Sequence, residues 1–168
     1  GFWLQTGSPE LDAISAISSG SYGVYVDEAA SPVLTNCVIR NSSSYGVYVR
    51  NTSPGRTLSL TNCTLNSNYY GVYSTASSGN AATITIKNSI LTGSSYGIYR
   101  SDAATYSVTY SNVWGNSTNY NSVTPGLGTI SANPQYVSST DLRLTASSTS
   151  IDAGTTGLAT DVIDDGVD

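Results

Sequence analysis

The sequence predicts an all-β fold in which one chain winds into a solenoid of about six coils, a parallel β-helix. Three observations support this prediction: two short motifs that recur in phase, and an alternation of residue types with a period of two. The first motif is Tyr-Gly-Val/Ile-Tyr, which occupies residues 22–25, 45–48, 70–73 and 96–99. Its glycines are 23, 25 and 26 residues apart, a length that suits one coil of three short strands.

An asparagine marks the same place in each unit and forms the second motif. The asparagines are 26, 26 and 24 residues apart, and they are Asn36, Asn62, Asn88 and Asn112. Because asparagine tolerates the left-handed backbone conformation, each is expected to form the bend between the second and third strands of its coil. Stacked at the strand spacing, the four are predicted to form a structural ladder with hydrogen-bonded side-chain amides.

Within each unit, polar and apolar residues alternate as strands require. Val24 and Val26 are predicted to point inward, with Tyr25 between them pointing outward. No window has the helical period, so each coil is interpreted as three short strands joined by turns. The loops absorb insertions, which explains why the repeat length drifts.

Composition and charge restrict the partners of the chain. The 168 residues include 29 Ser, 21 Thr and 13 Asn but only six Lys or Arg, too few to neutralise a phosphate backbone, so no nucleic-acid partner is expected. No apolar run approaches the roughly 18 residues of a membrane span, so this segment is not expected to insert into a membrane. Residues 1–130 are assigned to the coils and 131–168 to a C-terminal coil or irregular cap with an acidic tail, in one domain.

The Gly-Val-Tyr-Val and Asn-Cys-Val-Ile units, over residues 10–125, resemble the parallel β-helix repeats of the pectate-lyase-like superfamily. The segment 132–154, with its Asn-Pro, Leu-Arg-Leu and Ser-Ile-Asp-Ala-Gly sequences, resembles the C-terminal end of bacterial secreted or surface-anchored β-helix proteins. The resemblance implies an extracellular location and a right-handed helix, and the general crossover rule favours the same hand. The superfamily contains lyases, hydrolases, epimerases and adhesins, so the fold alone does not determine the function.

The second tyrosine of each Tyr-Gly-Val-Tyr motif is the strongest candidate for a binding surface. These tyrosines are predicted to form an outward-facing ladder, and they are Tyr25, Tyr48, Tyr73 and Tyr99. The ladder would be a flat strip about 14 Å long, from three steps at the strand spacing. Such a strip suits a polysaccharide or cell-surface glycan, whereas the alternative is that the rings only stabilise the sheet. The first tyrosines of the motifs are expected to pack in the core or at corners.

The sequence does not establish an enzyme, and the interpretation leans against one. It contains no His, which excludes Ser-His-Asp and Cys-His catalysis. Asp27, Glu28 and Arg50 are weak catalytic candidates, and a surface ion pair of Asp27 with Arg50 is the alternative. The resemblance implies that a hydrolase needs two or three carboxylates in one groove. It implies for a lyase a calcium-binding acidic cluster with a Lys or Arg base, and neither set converges in the sequence.

No cofactor is expected, and calcium is the one metal for which the sequence offers candidate ligands. Asp161, Asp164 and Asp165 lie in an acidic C-terminal stretch whose carboxylates could hold a calcium ion. Their spacing is only loosely like that of a calcium loop, and a flexible acidic terminus is the alternative.

Two sets of residues are candidates for covalent modification. Asn41, Asn51 and Asn116 belong to sequons predicted on loops, where they could carry glycan. Cys37 and Cys63 occupy equivalent places on neighbouring coils, within disulfide range, so a disulfide and two buried stacked thiols both stay open.

The preferred function is that of a non-catalytic extracellular β-helix module of a bacterial surface or secreted protein. It would be structural or adhesin-like, and would bind polysaccharide through the tyrosine ladder. One alternative is a fragment of a polysaccharide lyase or hydrolase. Another is a self-assembling extracellular fibre, because the end strands of a β-helix are unpaired and head-to-tail association would pair them.

Overall fold

The structure is a computed structural model that describes residues 1–27, 29–76 and 79–155. In these ranges it contains sixteen short strands. They are β1 (Phe2–Leu4), β2 (Glu10–Asp12), β3 (Ser15–Ile17), β4 (Tyr22–Val26), β5 (Val33–Thr35), β6 (Val38–Arg40), β7 (Tyr45–Asn51), β8 (Thr57–Thr61), β9 (Thr64–Asn66), β10 (Tyr70–Ala76), β11 (Thr83–Lys87), β12 (Ile90–Thr92), β13 (Tyr96–Arg100), β14 (Thr105–Thr109), β15 (Asn112–Trp114) and β16 (Thr118–Asn121). Among the described residues, no helix has the length and apolar character needed to cross a membrane.

The strands pair in parallel and form three sheets along a solenoid. Sheet A contains β1, β4, β7, β10, β13 and β16, sheet B contains β2, β5, β8, β11 and β14, and sheet C contains β3, β6, β9, β12 and β15. Each coil contributes one strand to each sheet, so the predicted all-β parallel β-helix is confirmed. The described residues make about five turns rather than six, because the chain after β16 leaves the helical path.

The core is a stack of aliphatic side chains enclosed by the three sheets. Sheet B shows the cause, because β8 and β11 read Thr-Leu-Ser-Leu-Thr and Thr-Ile-Thr-Ile-Lys and bury only their second and fourth residues. In sheet A the inward column is fully buried, and it consists of Val24, Val47, Val72 and Ile98. Full burial of one such side chain stabilises the fold by about 1.5–3 kcal/mol, so stacking of coils supplies what a single coil lacks.

Sheets B and C meet at a corner that requires a left-handed backbone residue in every coil. Asn36, Asn62 and Asn88 occupy it with φ of 55°, 54° and 48°. The Nδ2 atom of Asn62 donates to Oδ1 of Asn36 at 3.4 Å. The prediction for the fourth member of the ladder is wrong, because Asn112 pairs with Ile90 inside sheet C. Tyr110 occupies the corner instead, with φ of 49°. The last coil is two residues shorter there than the spacing of the asparagines suggested.

Sheets C and A meet at a second corner, where a column of polar side chains alternates between Ser and Asn. Its members are Ser42, Asn68, Ser94 and Asn116. Oδ1 of Asn68 accepts a hydrogen bond from the backbone N–H of Ser42 at 3.0 Å, and Oγ of Ser94 accepts one from the N–H of Asn68 at 3.2 Å. The side chains of Asn68, Ser94 and Asn116 thus each satisfy a corner N–H of the preceding coil, which would otherwise be buried without a partner.

The chain after β16 first closes the end of the helix and then returns along its side. Gly126 N–H donates to Val108 O at 2.9 Å, and Ile130 forms a parallel bridge with Asn112. Residues 133–155 then run over sheet C and its corner with sheet B. Arg40 donates to Thr140 O, Tyr136 Oη lies 3.1 Å from Thr92 Oγ1, and Thr155 N–H donates to Asn88 Oδ1. The described part of the predicted cap is therefore a strap along one side, which leaves the outer faces of sheets A and B clear of these contacts.

Candidate functional site

The outer face of sheet A carries both tyrosines of each Tyr-Gly-Val-Tyr motif. Strict alternation would place residues three apart on opposite faces. The glycine breaks the alternation, because Gly23 and Val24 are both buried and the strand register passes over the glycine. A Cβ on Gly23 would lie only 2.5 Å from Cγ2 of Ile39 and 2.7 Å from the carbonyl oxygen of Gly46. Only glycine fits there, and its presence turns both tyrosines outward.

Each tyrosine stacks on its counterpart in the next coil, which gives two columns. The first column, with ring centroids 5.3, 5.2 and 5.0 Å apart, is Tyr22, Tyr45, Tyr70 and Tyr96. The second, with centroids 5.1, 5.5 and 5.4 Å apart, is Tyr25, Tyr48, Tyr73 and Tyr99. Neighbouring rings in the two columns of one coil meet at 59° to 90°. The eight rings therefore interlock in a herringbone arrangement.

Trp3 and Tyr69 extend this arrangement, and together with the two columns they form what we term the tyrosine array. Trp3 stands edge-on to Tyr25 with centroids 5.4 Å apart, and it is 67% exposed. Tyr69 stands edge-on to Tyr70 at 4.8 Å and is 49% exposed. Aromatic pairs in these geometries contribute about 0.5–1.5 kcal/mol each, so the array stabilises sheet A as well as forming its surface.

Two details predicted for the tyrosines are wrong. The surface is not a single flat strip, because the herringbone gives it ridges and doubles its width. The first tyrosines of the motifs do not pack in the core or at corners: Tyr22 is exposed, and Tyr45, Tyr70 and Tyr96 are half-buried on the outer face. Alternation did not predict this, because the buried glycine interrupts it and places both tyrosines on the outer face. Glycine is required at that position by its close contact with the next coil.

Partial burial raises the pKa of four phenols of the array. Burial, with a smaller contribution from neighbouring tyrosines, raises the pKa of Tyr48 to about 12. Burial is also the main cause of the raised pKa of Tyr25, Tyr45 and Tyr70. A ligand on sheet A would therefore meet these four phenols in their uncharged form up to mildly alkaline pH.

The predicted pair of Asp27 and Arg50 lies at the edge of the array as a closed ion pair. Nε and Nη2 of Arg50 each donate to one carboxylate oxygen of Asp27, both at 2.7 Å. The side chain of Asp27 is 1% exposed and that of Arg50 is 47% exposed. The hydrogen bond to Asp27 raises the pKa of Arg50. Both oxygens of Asp27 are thus held by Arg50, and Glu28 lies outside the described residues.

A second carboxylate, that of Asp102, lies farther along the helix and is hydrogen-bonded to a side chain of sheet A. Sheet A positions that hold valine in early coils hold Ser74 and Arg100 in later ones. Oδ1 of Asp102 accepts a hydrogen bond from Oγ of Ser74 at 3.0 Å. Asp102 lies three coils from Asp27, about 14 Å at the strand spacing, so the two carboxylates do not meet in one groove.

The structure separates the three predicted glycosylation sites. Asn41 is exposed at the corner between sheets C and A. Asn51 lies at the end of β7, is 2% exposed and donates through Nδ2 to Asn80 O at 2.7 Å. Asn116 lies between β15 and β16, is half-buried, and donates through Nδ2 to Leu91 O at 3.1 Å. The predicted loop position is therefore wrong for Asn51, which ends a strand, whereas Asn41 and Asn116 lie between strands as predicted. The amides of Asn51 and Asn116 both hold coils together.

The two cysteines lie within the described residues, whereas the acidic C-terminal stretch does not. Cys37 and Cys63 are free thiols on adjacent coils, 0% and 1% exposed. The hydrogen bond to Cys37 and burial raise the pKa of the Cys63 thiol. Asp161, Asp164 and Asp165 lie outside the described residues. Within residues 1–27, 29–76 and 79–155, no three His, Cys, Asp or Glu side chains form a group that could hold a metal ion.

Sequence reasoning missed the second column of tyrosines and the alternating Ser and Asn column. The first could have been found by asking why every motif keeps a glycine between two tyrosines. The second has a spacing of 26 residues from Ser42 to Asn68 and again to Ser94, but no single residue type marks it.

The three parallel sheets, the stacked corners and the aromatic outer face define this protein as a β-solenoid of the β-helix class. The family model described as the right-handed beta helix region matches residues 2–83 and, in an overlapping match, residues 22–157. The chain belongs to the right-handed β-helix family, which also confirms the predicted hand of the coil. No curated protein and no solved structure matches the chain.

Proposed function

We propose that this chain is a non-catalytic extracellular β-helix module that binds polysaccharide through the tyrosine array. The array is the observation that supports the proposal most directly. It presents ten aromatic residues on one face, and Trp3 and Tyr69 expose about half or more of their surface. Contiguous aromatic surface of this kind marks binding sites more often than isolated aromatic residues do.

The length and charge of the array favour a chain-like, uncharged ligand. The second column and Trp3 span four coil steps, about 19 Å at the strand spacing, so an extended glycan would contact several rings in succession. Arg50 at the edge of the array is neutralised by Asp27. Binding would rest on ring contacts and phenol hydrogen bonds, and would therefore depend little on salt.

Its role in a larger assembly would be structural or adhesin-like, at a secreted or cell-surface location. The stacked coils support this, because a solenoid with a continuous core holds its surface groups at fixed spacing. Head-to-tail association stays a prediction. Residues 126–130 cover the last strands of sheets B and C, which restricts such association at that end to β16 in sheet A.

Affinity electrophoresis through gels that contain plant, algal or bacterial polysaccharides tests the proposal. The double variant Tyr48→Ala/Tyr73→Ala is expected to lose the retardation shown by the wild type. Trp114→Ala is the matched control, since Trp114 is 36% exposed on sheet C, outside the array.

Circular dichroism and thermal melting must show that both variants keep the β-helix. Retardation that is equal in all three proteins would place binding elsewhere, and a wild type that migrates freely in every gel would refute glycan binding. The variant Tyr48→Phe/Tyr73→Phe separates the two contributions, because it keeps the rings and removes two phenol hydroxyls.

A further inference from the structure

The outer face of three adjacent strands of sheet B, β8, β11 and β14, is a regular grid of hydroxyl groups. β8, β11 and β14 pair in register at all five positions, so their outward residues form three columns. The columns are Thr57, Thr83 and Thr105; Ser59, Thr85 and Ser107; and Thr61, Lys87 and Thr109. Eight of these nine positions are Ser or Thr. Columns are about 6.6 Å apart along the strand and rows about 4.8 Å apart between strands. We term these nine residues the hydroxyl grid.

Within the part of the chain that the structure describes, the hydroxyls of the grid have no protein partners. Among the described residues, none of its eight Ser and Thr side chains takes part in a hydrogen bond. By contrast, the buried hydroxyls of Ser89, Ser94 and Ser111 each accept a backbone N–H of the preceding coil. The outward hydroxyls can therefore donate and accept toward solvent at every position.

A repeat in two directions favours a ligand that itself repeats in two directions. A single small solute would need one group of converging hydroxyls, and a single polymer chain would need one column. The grid instead offers the same groups in rows and columns, and the only charge within it is Lys87. A crystalline surface is the kind of ligand that matches such an arrangement.

We propose that the hydroxyl grid binds the ordered water of an ice crystal surface. Six of the nine residues are Thr, whose hydroxyl can join a water lattice while its methyl group holds neighbouring water in place. The outward residues of β8, β11 and β14 include no aromatic side chain, which argues against a crystalline polysaccharide, since sugar faces are recognised by rings such as those on sheet A. The inference is independent of the proposed role of the tyrosine array.

Inhibition of ice recrystallisation, together with adsorption of fluorescently labelled protein to a growing ice crystal, tests this proposal. Thr85→Tyr places a large ring at the centre of the grid and is expected to abolish both effects. Thr75→Tyr is the matched control, because Thr75 is the same residue type in the same coil but lies in sheet A beside Arg50. Equal melting temperatures of the two variants exclude unfolding as the cause.

Lys87→Thr is expected to increase the activity on ice, and unfolding of the variant could not produce such an increase. It completes the third column with a ninth hydroxyl and is expected to lower the protein concentration needed for inhibition. Tyr48→Ala/Tyr73→Ala should retain full ice activity, which separates this result from any failure of glycan binding.

Three outcomes would overturn the proposal. The first is a wild type without effect on ice growth. The second is equal loss or equal retention in Thr85→Tyr and Thr75→Tyr, which would move the site away from sheet B. The third is binding to microcrystalline cellulose or chitin that Thr85→Tyr abolishes while ice growth is unaffected, which would assign the grid to a solid polysaccharide.

Discussion

The outer faces of sheets A and B share one strand spacing and one in-register pairing, yet they use it in opposite ways. On sheet A, repetition brings aromatic rings to 5.0–5.5 Å from their counterparts, so the side chains bind one another. On sheet B, repetition brings short hydroxyl side chains to the same spacing, where they do not reach each other. On these two outer faces, a repeated residue therefore adds stability where its side chain spans one coil step, and leaves a surface open to ligands where it does not.

The greatest loss of stability is expected from substituting a motif glycine, which is what turns both tyrosines of the motif outward. A Cβ on Gly71 would lie 2.4 Å from the carbonyl oxygen of Gly97. Gly71→Ala should therefore destabilise the fold by about 3 kcal/mol, the upper part of the range for overpacking. Gly20→Ala is the control, because no atom lies within 4 Å of its added Cβ. Urea unfolding that gives similar midpoints for the two variants would contradict the close packing of the motif glycines.

The direct test of the comparison is to truncate one central side chain on each face. Tyr73→Ala should lower the free energy of unfolding by about 2 kcal/mol, because Tyr73 stacks on Tyr48 and Tyr99 and each aromatic pair contributes roughly 0.5–1.5 kcal/mol. Thr85→Ala should change it by less than about 0.5 kcal/mol, as expected for a surface residue whose side chain has no partner among the described residues. Denaturant titrations with equal costs at the two sites would remove the distinction between the faces.

Two serines, one buried and one on sheet B, are expected to differ in the same sense by a smaller amount. Oγ of Ser94 accepts the backbone N–H of Asn68, so Ser94→Ala leaves that buried donor unpaired and should cost about 1.5 kcal/mol. Ser107 presents its hydroxyl to solvent on sheet B, and Ser107→Ala should be neutral to within about 0.5 kcal/mol. Thermal melting of both variants provides the measurement, and a neutral Ser94→Ala would mean that the corner N–H has another partner.

The smallest effect expected is a pH dependence confined to alkaline solution. The folded-state pKa of Tyr48 is about 12, above the ordinary value of 10.0. Its phenol therefore contributes stability that is full below pH 10 and is lost as the pH rises from 10 to 12. Melting temperatures across this range should fall less steeply in Tyr48→Phe than in the wild type. The same slope in both proteins would show that other groups control the alkaline limit.

The strands and the core were predictable because aliphatic residues alternate along each unit, and burial of those residues decides which face points inward. The left-handed corners at Asn36, Asn62 and Asn88 were predictable for a local reason, the tolerance of asparagine for that conformation. The error at Asn112 arose where the local signal changed: Tyr110 adopts the corner conformation although its side chain gives no such indication.

The features that escaped prediction depend on contacts between coils. The break in alternation at each motif glycine is caused by the backbone of the next coil. The sequence of a single unit does not show that contact. The Ser and Asn column was hidden because the chain has 29 Ser and 13 Asn, among which four functional positions do not stand out. The hydroxyl grid was visible as alternating Thr, but that its hydroxyls have no partner among the described residues is a property of three aligned strands.

The alternating column at the corner between sheets C and A sets a rule for how this protein can change its length. Asn68 reaches over Ser42 to the carbonyl of Ile39, and Asn116 reaches over Ser94 to that of Leu91. Loss or duplication of one coil would place like side chains next to each other and interrupt the hydrogen bonds. Loss or duplication of two coils would preserve the alternation. Shorter and longer descendants of this solenoid are therefore expected to differ by pairs of coils, and such pairs are the natural unit for lengthening it by design.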